Sequence, residues 1–269
     1  MSEQRYFASD EKEEVELSRL RLLESIFDPA TTRHLETIGV SEGWRCLEVG
    51  AGAGSVSRWL AKRVGPTGKV VATDIDTRFL TGMSLPNLEI RQQDIIKGEE
   101  EIAQFDLVHC RAVLQHLSDP QKGAGRMANA IRPSGWMLIE EFDYGSVLSA
   151  DVTNPSAIVF TTTIRALCEY LRRAGIADGY FGRRVPGILE HLGLIDVDQE
   201  GWSRMYRGGE AMARFSAGTL RATAKHMIAA GLLTQEQYDS AQQMFLDPAF
   251  IYPGLTMFAA WGRRPGNPA

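Results

Sequence analysis

A chain of 269 residues with 44% hydrophobic, 23% charged and 9% aromatic side chains has the size of one large domain, and its composition excludes collagen-like, low-complexity and disordered readings. At this length roughly three quarters of the extended-chain surface can be buried, so no disulfide or metal staple is needed to hold a core. With 29 Lys+Arg against 34 Asp+Glu the net charge is −5, which argues against a nucleic-acid partner.

Residues 1–150 carry 17 basic and 23 acidic side chains, a net of −6; residues 151–269 carry 12 and 11, a net of +1. Three cysteines, Cys46, Cys110 and Cys168, have no CxxC spacing and read as buried reduced thiols. The N-terminal residues are polar without an apolar h-region, and no stretch approaches the ~20 apolar residues of a membrane span. A cytoplasmic setting without a membrane partner is expected.

In chain order, Val15, Leu17, Leu20, Leu22-Leu23 and Ile26-Phe27 predict a helix. Asp28-Pro29 interrupts it, with Asp28 as cap and Pro29 as first residue of a short second helix ending at Gly39. Short apolar runs then alternate with amphipathic segments. Strands are predicted over 46–49, 69–73, 87–92, 105–110 and 136–140, and helices over 55–64 and 121–131. Turns are expected at Gly65-Pro66-Thr67-Gly68 and Pro133-Ser134-Gly135. Beyond these, Phe160 to Ala174, Arg183 to Leu192 and Met212 to Ile228 read as helices. Thr234 to Gln237 is a capping box opening another helix. Leu194 to Val197 and Leu255 to Trp261 are the last two strands.

Strands alternating with helices imply an α/β fold: a doubly wound, mostly parallel, seven-stranded sheet with N-terminal and C-terminal helical cap additions. The expected organisation is one structural domain in three blocks: a helical lid over 1–40, a ligand-binding core over 41–150, and helical insertions plus the last two strands over 151–269. Right-handed crossovers gather the carboxyl ends of the strands at one edge, where such sheets bind ligands.

The segment Leu47-Glu48-Val49-Gly50-Ala51-Gly52-Ala53-Gly54-Ser55 carries the most information. Glycines at two-residue spacing between a strand and a helix permit a tight turn and close backbone approach to a ligand. The spacing is GxGxG, with Ser55 where a dinucleotide site would have its third glycine. Glu48 would repel a pyrophosphate but suits an ammonium or sulfonium, which points to S-adenosylmethionine. No GK[ST] follows, so a P-loop is excluded.

With these residues the chain resembles the class I S-adenosylmethionine-dependent methyltransferases, in particular the small-molecule branch with the ubiquinone-biosynthesis-like methyltransferase domain. The likeness runs from about Trp44 to Asp143, and five motifs fall in the family's order. They are LEVGAGAG, Lys69 to Asp76, Arg91 to Ile95, Phe105 to Pro120, and Arg132 to Trp136, with Ser134 where the family usually has glycine. The resemblance implies a Rossmann-like fold and methyl transfer (a transferase of class EC 2.1.1) to an O, N or C atom of a small organic acceptor. It assigns cofactor contacts to Glu48, Gly50, Ala51, Gly52 and Gly54, ribose recognition to Asp74 with Ile75 beside it, and adenine recognition to Asp94 with Ile95 flanking the ring. Cys110 and Arg111 would line the cofactor site at the end of the fourth strand. No metal is implied, because Cys110-Arg111 stands where catechol-type relatives place a metal-binding aspartate.

His116, and Glu141 with Asp143 at the end of the fifth strand, are the candidate catalytic residues, any one of which could orient or deprotonate an acceptor. Asp76 reads as a helix cap, and His226 as an ordinary helical residue. Tyr6 and Phe7 read equally as a closing lid or as core. The stripe Phe160, Tyr170, Met212, Phe215, Met227, Tyr238 and Phe245 reads as core before acceptor lining. The reading leaves room for a homodimer. Three alternatives stand beside it: a same-fold enzyme catalysing a cyclisation, a non-catalytic cofactor-binding subunit, and a nicotinamide dehydrogenase.

Overall fold

The computed structural model describes residues 13–99, 101–147 and 153–267. Tyr6 and Phe7 lie outside the described residues. By contacts the chain forms two compact units. One is built from residues 27–141, 182–201 and 258–269, the other from the remaining three segments. This division does not follow the three consecutive blocks expected from the sequence.

The first unit holds the sheet. Its strands are β1 (Arg45–Val49), β2 (Lys69–Asp74), β3 (Leu88–Gln92), β4 (Phe105–Arg111), β5 (Ile131–Asp143), β6 (Ile195–Trp202) and β9 (Thr256–Arg263), the last three extending slightly past the unit's limits. They lie in the order β3-β2-β1-β4-β5-β9-β6. The pairs β1–β2, β1–β4, β2–β3 and β4–β5 are all parallel, so their carboxyl ends share one edge. The interiors of β1, β2 and β4 and the second half of β5 are largely buried, mostly apolar runs, as expected for strands covered on both faces, whereas β3 at the edge is only partly buried. Leu35, Ile38, Val40, Cys46, Val56, Leu60, Val64, Val70, Leu107 and Leu138 form one core cluster. Each such fully buried aliphatic side chain contributes ~1.5–3 kcal/mol.

Helix α1 (Glu13–Ile38) corrects the sequence expectation of two helices, since it runs unbroken through Pro29. A proline here removes the N–H that would reach the Ser25 carbonyl. Phe27, Ala30, Thr31, His34 and Leu35 are buried along one face, and that packing holds the helix through the defect. Asp28 does not cap a new helix; its carboxylate is held elsewhere, as described below.

The helix α2 (Ser55–Val64) matches the expectation residue for residue. α3 (Pro120–Ala130) starts one residue early, with Asp119 accepting from the Lys122 N–H as cap. The turn expected at 133–135 is instead a kink inside a longer β5. Ser134 takes φ +64°, and a Cβ on Gly135 would stand 2.8 Å from the Phe105 carbonyl oxygen. A short 3-10 turn (Gly182–Arg184) and α5 (Val185–His191) also belong to this unit.

The second unit contains α4 (Pro155–Arg173), α6 (Ala211–Ala229), α7 (Gln235–Leu246) and an antiparallel pair β7 (Met205–Arg207) and β8 (Ile251–Pro253). The paired strands escaped the sequence reading because each is only three residues long. The predicted capping box is present: Thr234 accepts from the Gln237 N–H, and the Gln237 side chain accepts from the Thr234 N–H. Phe160, Phe245, Phe250 and Tyr252 pack with centroids 5.0–6.4 Å apart, Phe250 and Tyr252 stacked near-parallel and the other pairs edge-to-face or tilted. With Met212, Phe215 and Met227 also buried, the apolar stripe is the core of this unit. Tyr170 stacks on His226, whose ring centroid is 6.1 Å away. Among the described residues no helix is long and apolar enough to cross a membrane.

Candidate functional site

The carboxyl edge of the parallel strands is built around the turn from β1 to α2. Gly50, Gly52 and Gly54 all adopt left-handed backbone, with φ of +71°, +57° and +83°. The N–H groups of Gly50 and Ala51 both donate to the Thr73 carbonyl, at 2.8 and 3.0 Å, which ties the turn to β2. Gly50 is required for a second reason. A Cβ there would collide with the Val113 side chain, so the segment after β4 sits directly on the turn. Gly54 precedes α2 and brings no side chain to cap its first turn.

Asp74, at the end of β2, faces this turn. One carboxylate oxygen accepts from the Gly52 N–H at 2.8 Å and the other from the Asp76 N–H at 2.9 Å. Burial raises its pKa, against the pull of those two backbone donors. Ile75 beside it is 51% exposed, an unusual position for a large aliphatic side chain. Asp76 caps the following 3-10 turn, as expected, and also pairs with Arg78. Asp94 lies just past β3, where it accepts from the Ile96 N–H at 2.7 Å; Ile95 next to it is half-buried. Gly50, Ala51, Gly52, Gly54, Asp74, Ile75, Asp94 and Ile95 thus all lie at the strand ends around one turn.

The remaining sequence candidates are placed differently. Glu48 does not face open space. It is buried, and its carboxylate is held by His109 Nδ1 at 2.7 Å, so the cation expected opposite it is an imidazolium of the chain itself. The Cys110 thiol is sealed within the sheet, where burial pushes its pKa well up. The Arg111 side chain turns to α1, donating to Thr31 Oγ1 at 2.8 Å and Asp28 Oδ1 at 2.9 Å. His116 ends a 3-10 turn (Leu114–His116) with its Nε2 3.2 Å from Gln115 Nε2.

Glu141 and Asp143 are corrections to the expectation of a base at the end of β5. Glu141 is fully buried, and accepts from the N–H groups of Val113, Leu114 and Gln115 at 3.0, 2.7 and 3.4 Å. Burial pushes its carboxyl to about 8 in spite of these donors. Its work is to fix the segment that rests on Gly50. Asp143, also buried, caps a 3-10 turn (Tyr144–Ser146) by accepting from the Gly145 N–H at 2.6 Å. Each carboxylate satisfies backbone donors that the chain leaves exposed at the strand end.

What sequence reasoning missed is a file of buried charge on the α1 face of the sheet. Glu48 and His109 are register partners on β1 and β4, and Glu140 stands on β5. Glu140 takes His109 Nε2 at 3.2 Å, His34 Nδ1 at 2.8 Å and Thr31 Oγ1 at 2.6 Å. His34 Nε2 continues to Glu200 on β6 at 3.0 Å, and Arg33 pairs with the same carboxylate. Burial alone would depress His109, but the charges and hydrogen bonds of Glu48 and Glu140 lift it to about 9. Burial would likewise depress His34 and raise Glu140. Their mutual contacts win, so His34 is raised and Glu140 is held well below the carboxylate range. The available signal was three polar residues placed inside otherwise apolar parallel strands, which must find partners.

A seven-stranded sheet of this order, with a glycine turn after its first strand and an acid closing its second, defines the Rossmann-like methyltransferase fold. The family described as "Methyltransferase domain" matches residues 7–178, more than half of the sequence, and the chain belongs to it. Among curated proteins it is 28% identical over 182 residues to methyltransferase str2 of Strobilurus tenacellus, covering 66% of this chain and 63% of that protein. It is 32% identical over 117 residues to the ubiquinone/menaquinone biosynthesis C-methyltransferase UbiE of Laribacter hongkongensis, covering 40% of this chain and 47% of that one. The chain therefore spans less than two thirds of the length of either relative. Among solved structures it resembles Haemonchus contortus phosphoethanolamine N-methyltransferase 2 in complex with S-adenosyl-L-methionine, with a TM-score of 0.58 at 19% identity, over 98% of this chain and 60% of that one. The [4+2]-cyclase SpnF shares the fold with a TM-score of 0.50 at 15% identity, over 89% of this chain and 81% of that one.

Proposed function

We propose that the chain transfers a methyl group from S-adenosylmethionine to an O, N or C atom of a small organic acceptor. The observation that carries this reading is the Asp74 carboxylate set against the left-handed glycine turn. Each of its oxygens accepts one backbone N–H, which leaves each a lone pair for one hydroxyl of a ribose diol. The exposed Ile75 offers an apolar surface next to it, and Asp94 has an acceptor oxygen at the neighbouring strand end. Gly54 brings no side chain to cap the first turn of α2, whose Val56 and Ser57 amide groups are suited as donors to a carboxylate. The residues present suit the cofactor.

When bound, S-adenosylmethionine supplies an already activated methyl electrophile. The chain's own part is then to bind, orient and exclude water, and such positioning supplies ~7–11 kcal/mol of a barrier. Glu141 and Asp143 hold backbone, so neither is assigned proton transfer here. His116 remains the one side chain of the three expected bases whose role as an acceptor-orienting group is proposed. The acidic net charge of −5 favours a small acceptor over a nucleic acid, and a cytoplasmic location accords with three buried thiols.

Incubation with S-adenosylmethionine and a panel of small phenolic, amine and carbon-acid acceptors tests the reading. Conversion to S-adenosylhomocysteine that depends on an acceptor is expected. Tight cofactor binding without consumption, together with rearrangement of a polyene substrate, would favour the cyclisation chemistry instead. Tight binding of NAD(H) with none of S-adenosylhomocysteine would overturn both.

A further inference from the structure

The glycine turn is anchored at both of its flanks, and both anchors lead to the same helix. On its far side stands Ser55, the first residue of α2. Its hydroxyl does not cap its own helix; it donates to Asp28 Oδ1 on α1 at 3.0 Å. The same Asp28 oxygen takes Arg111 Nη2 at 2.9 Å, and Arg111 Nη1 donates to Thr31 Oγ1 at 2.8 Å. Thr31 in turn donates its hydroxyl hydrogen bond to Glu140 Oε2 at 2.6 Å, the oxygen that also meets His109 Nε2. His109 then reaches Glu48, two residues before Gly50, on the near side of the turn.

We infer that Asp28 and Ser55 are positioning residues for the cofactor, through which α1 holds the glycine turn in its binding shape before the cofactor arrives. This rests on the proposed S-adenosylmethionine reading. A turn with three left-handed glycines has more freedom to lose than any other five-residue segment of the core. Charge-assisted bonds to its flanks remove that freedom in advance, and the saving appears as affinity. Asp28 has no contact with the expected ribose or adenine acids, Asp74 and Asp94, so its effect is carried by Ser55 and Arg111. α1 meets this edge of the sheet with polar side chains at three-residue spacing, Asp28, Thr31 and His34, where an amphipathic helix would ordinarily present apolar ones.

The test is calorimetric titration of S-adenosylhomocysteine into the full chain and into Ser55→Ala, Ser55→Thr, Asp28→Asn and the Ser55→Ala/Asp28→Asn double variant, with ligand-free melting of each. Ser55→Ala and Asp28→Asn are each expected to weaken binding about tenfold. The double variant is expected to be no weaker than the worse single one, because both act on one contact, Ser55→Ala by removing its donor and Asp28→Asn by neutralising its acceptor. Ser55→Thr keeps the hydroxyl and restores wild-type affinity, at an unchanged ligand-free melting temperature for the Ser55 variants. If Asp28→Asn leaves Arg111 unpaired and fails to fold, the Ala/Thr pair at Ser55 decides alone. Wild-type binding with unchanged affinity in Ser55→Ala, or failure of Ser55→Thr to rescue, overturns this inference and leaves the methyltransferase reading standing. Absence of S-adenosylhomocysteine binding by the wild type overturns that reading itself.

Discussion

Two adjacent glutamates on one strand, both without exposed surface, are handled in opposite ways. Glu140 stays ionised because two imidazoles and a hydroxyl converge on it; Glu141 has only backbone amides, and burial lifts it to about 8. The difference gives two expectations. Glu141→Gln keeps an amide oxygen for the Leu114 N–H, so turnover should fall less than about tenfold, whereas losing a general base lowers rates ~10²–10⁴-fold. Steady-state rates at saturating cofactor decide between them. The second concerns His109, whose folded value of about 9 lies above its ordinary 6.5. Its stabilisation is whole below pH 6.5 and is lost as pH rises through about 9, a contribution on the order of 3 kcal/mol. Glu141, raised from 4.5 to about 8, acts in the same sense, since its neutral form is the one the fold prefers. Urea midpoints should therefore drop between pH 6.5 and 9.5, and His109→Gln should flatten that slope. A midpoint that climbs across the window would refute the charge assignment.

At the scale of elements, α1 shows how packing overrides a local rule. Pro29 costs a helix interior ~3 kcal/mol, which the burial of Phe27, Ala30, His34 and Leu35 offsets. Pro29→Ala restores the hydrogen bond to Ser25 without touching the buried face. Thermal melting should show a gain of about 1–3 kcal/mol. A loss would mean that the proline sets a bend on which the Asp28–Arg111 pair depends. The kink at Ser134-Gly135 has the same lesson in a strand: Pro-Ser-Gly reads locally as a turn, yet pairing with β4 draws it into β5 with a register shift between Phe105 and Leu107.

For the whole molecule, cofactor binding to the folded state alone must raise stability by mass action. S-adenosylhomocysteine at a hundred times its Kd should add about 2.7 kcal/mol, a rise of roughly 5–11 °C in Tm for a chain of this size. NADH should add nothing. Differential scanning fluorimetry with the two ligands reads both arms, and equal shifts would remove the specificity claimed for the glycine turn.

Much of this molecule was written locally. The turn Gly50 to Gly54, the acids Asp74 and Asp94 at the ends of the next two strands, the α2 boundaries and the Thr234 capping box all depend on neighbours a few residues away. Backbone sterics, hydrogen-bond arithmetic and hydrophobic period fix such features, and composition bounds the rest. What the tertiary structure alone decided is where each buried charge finds its partner. His34 meets Glu140 across 106 positions and Arg111 meets Asp28 across 83, distances over which no periodicity carries information. Desolvation makes an unpaired charge there untenable, so the fold, and not the local pattern, turned Glu48 and Arg111 from expected cofactor contacts, and Glu141 and Asp143 from expected catalytic groups, into the supports of the turn and strand ends around them.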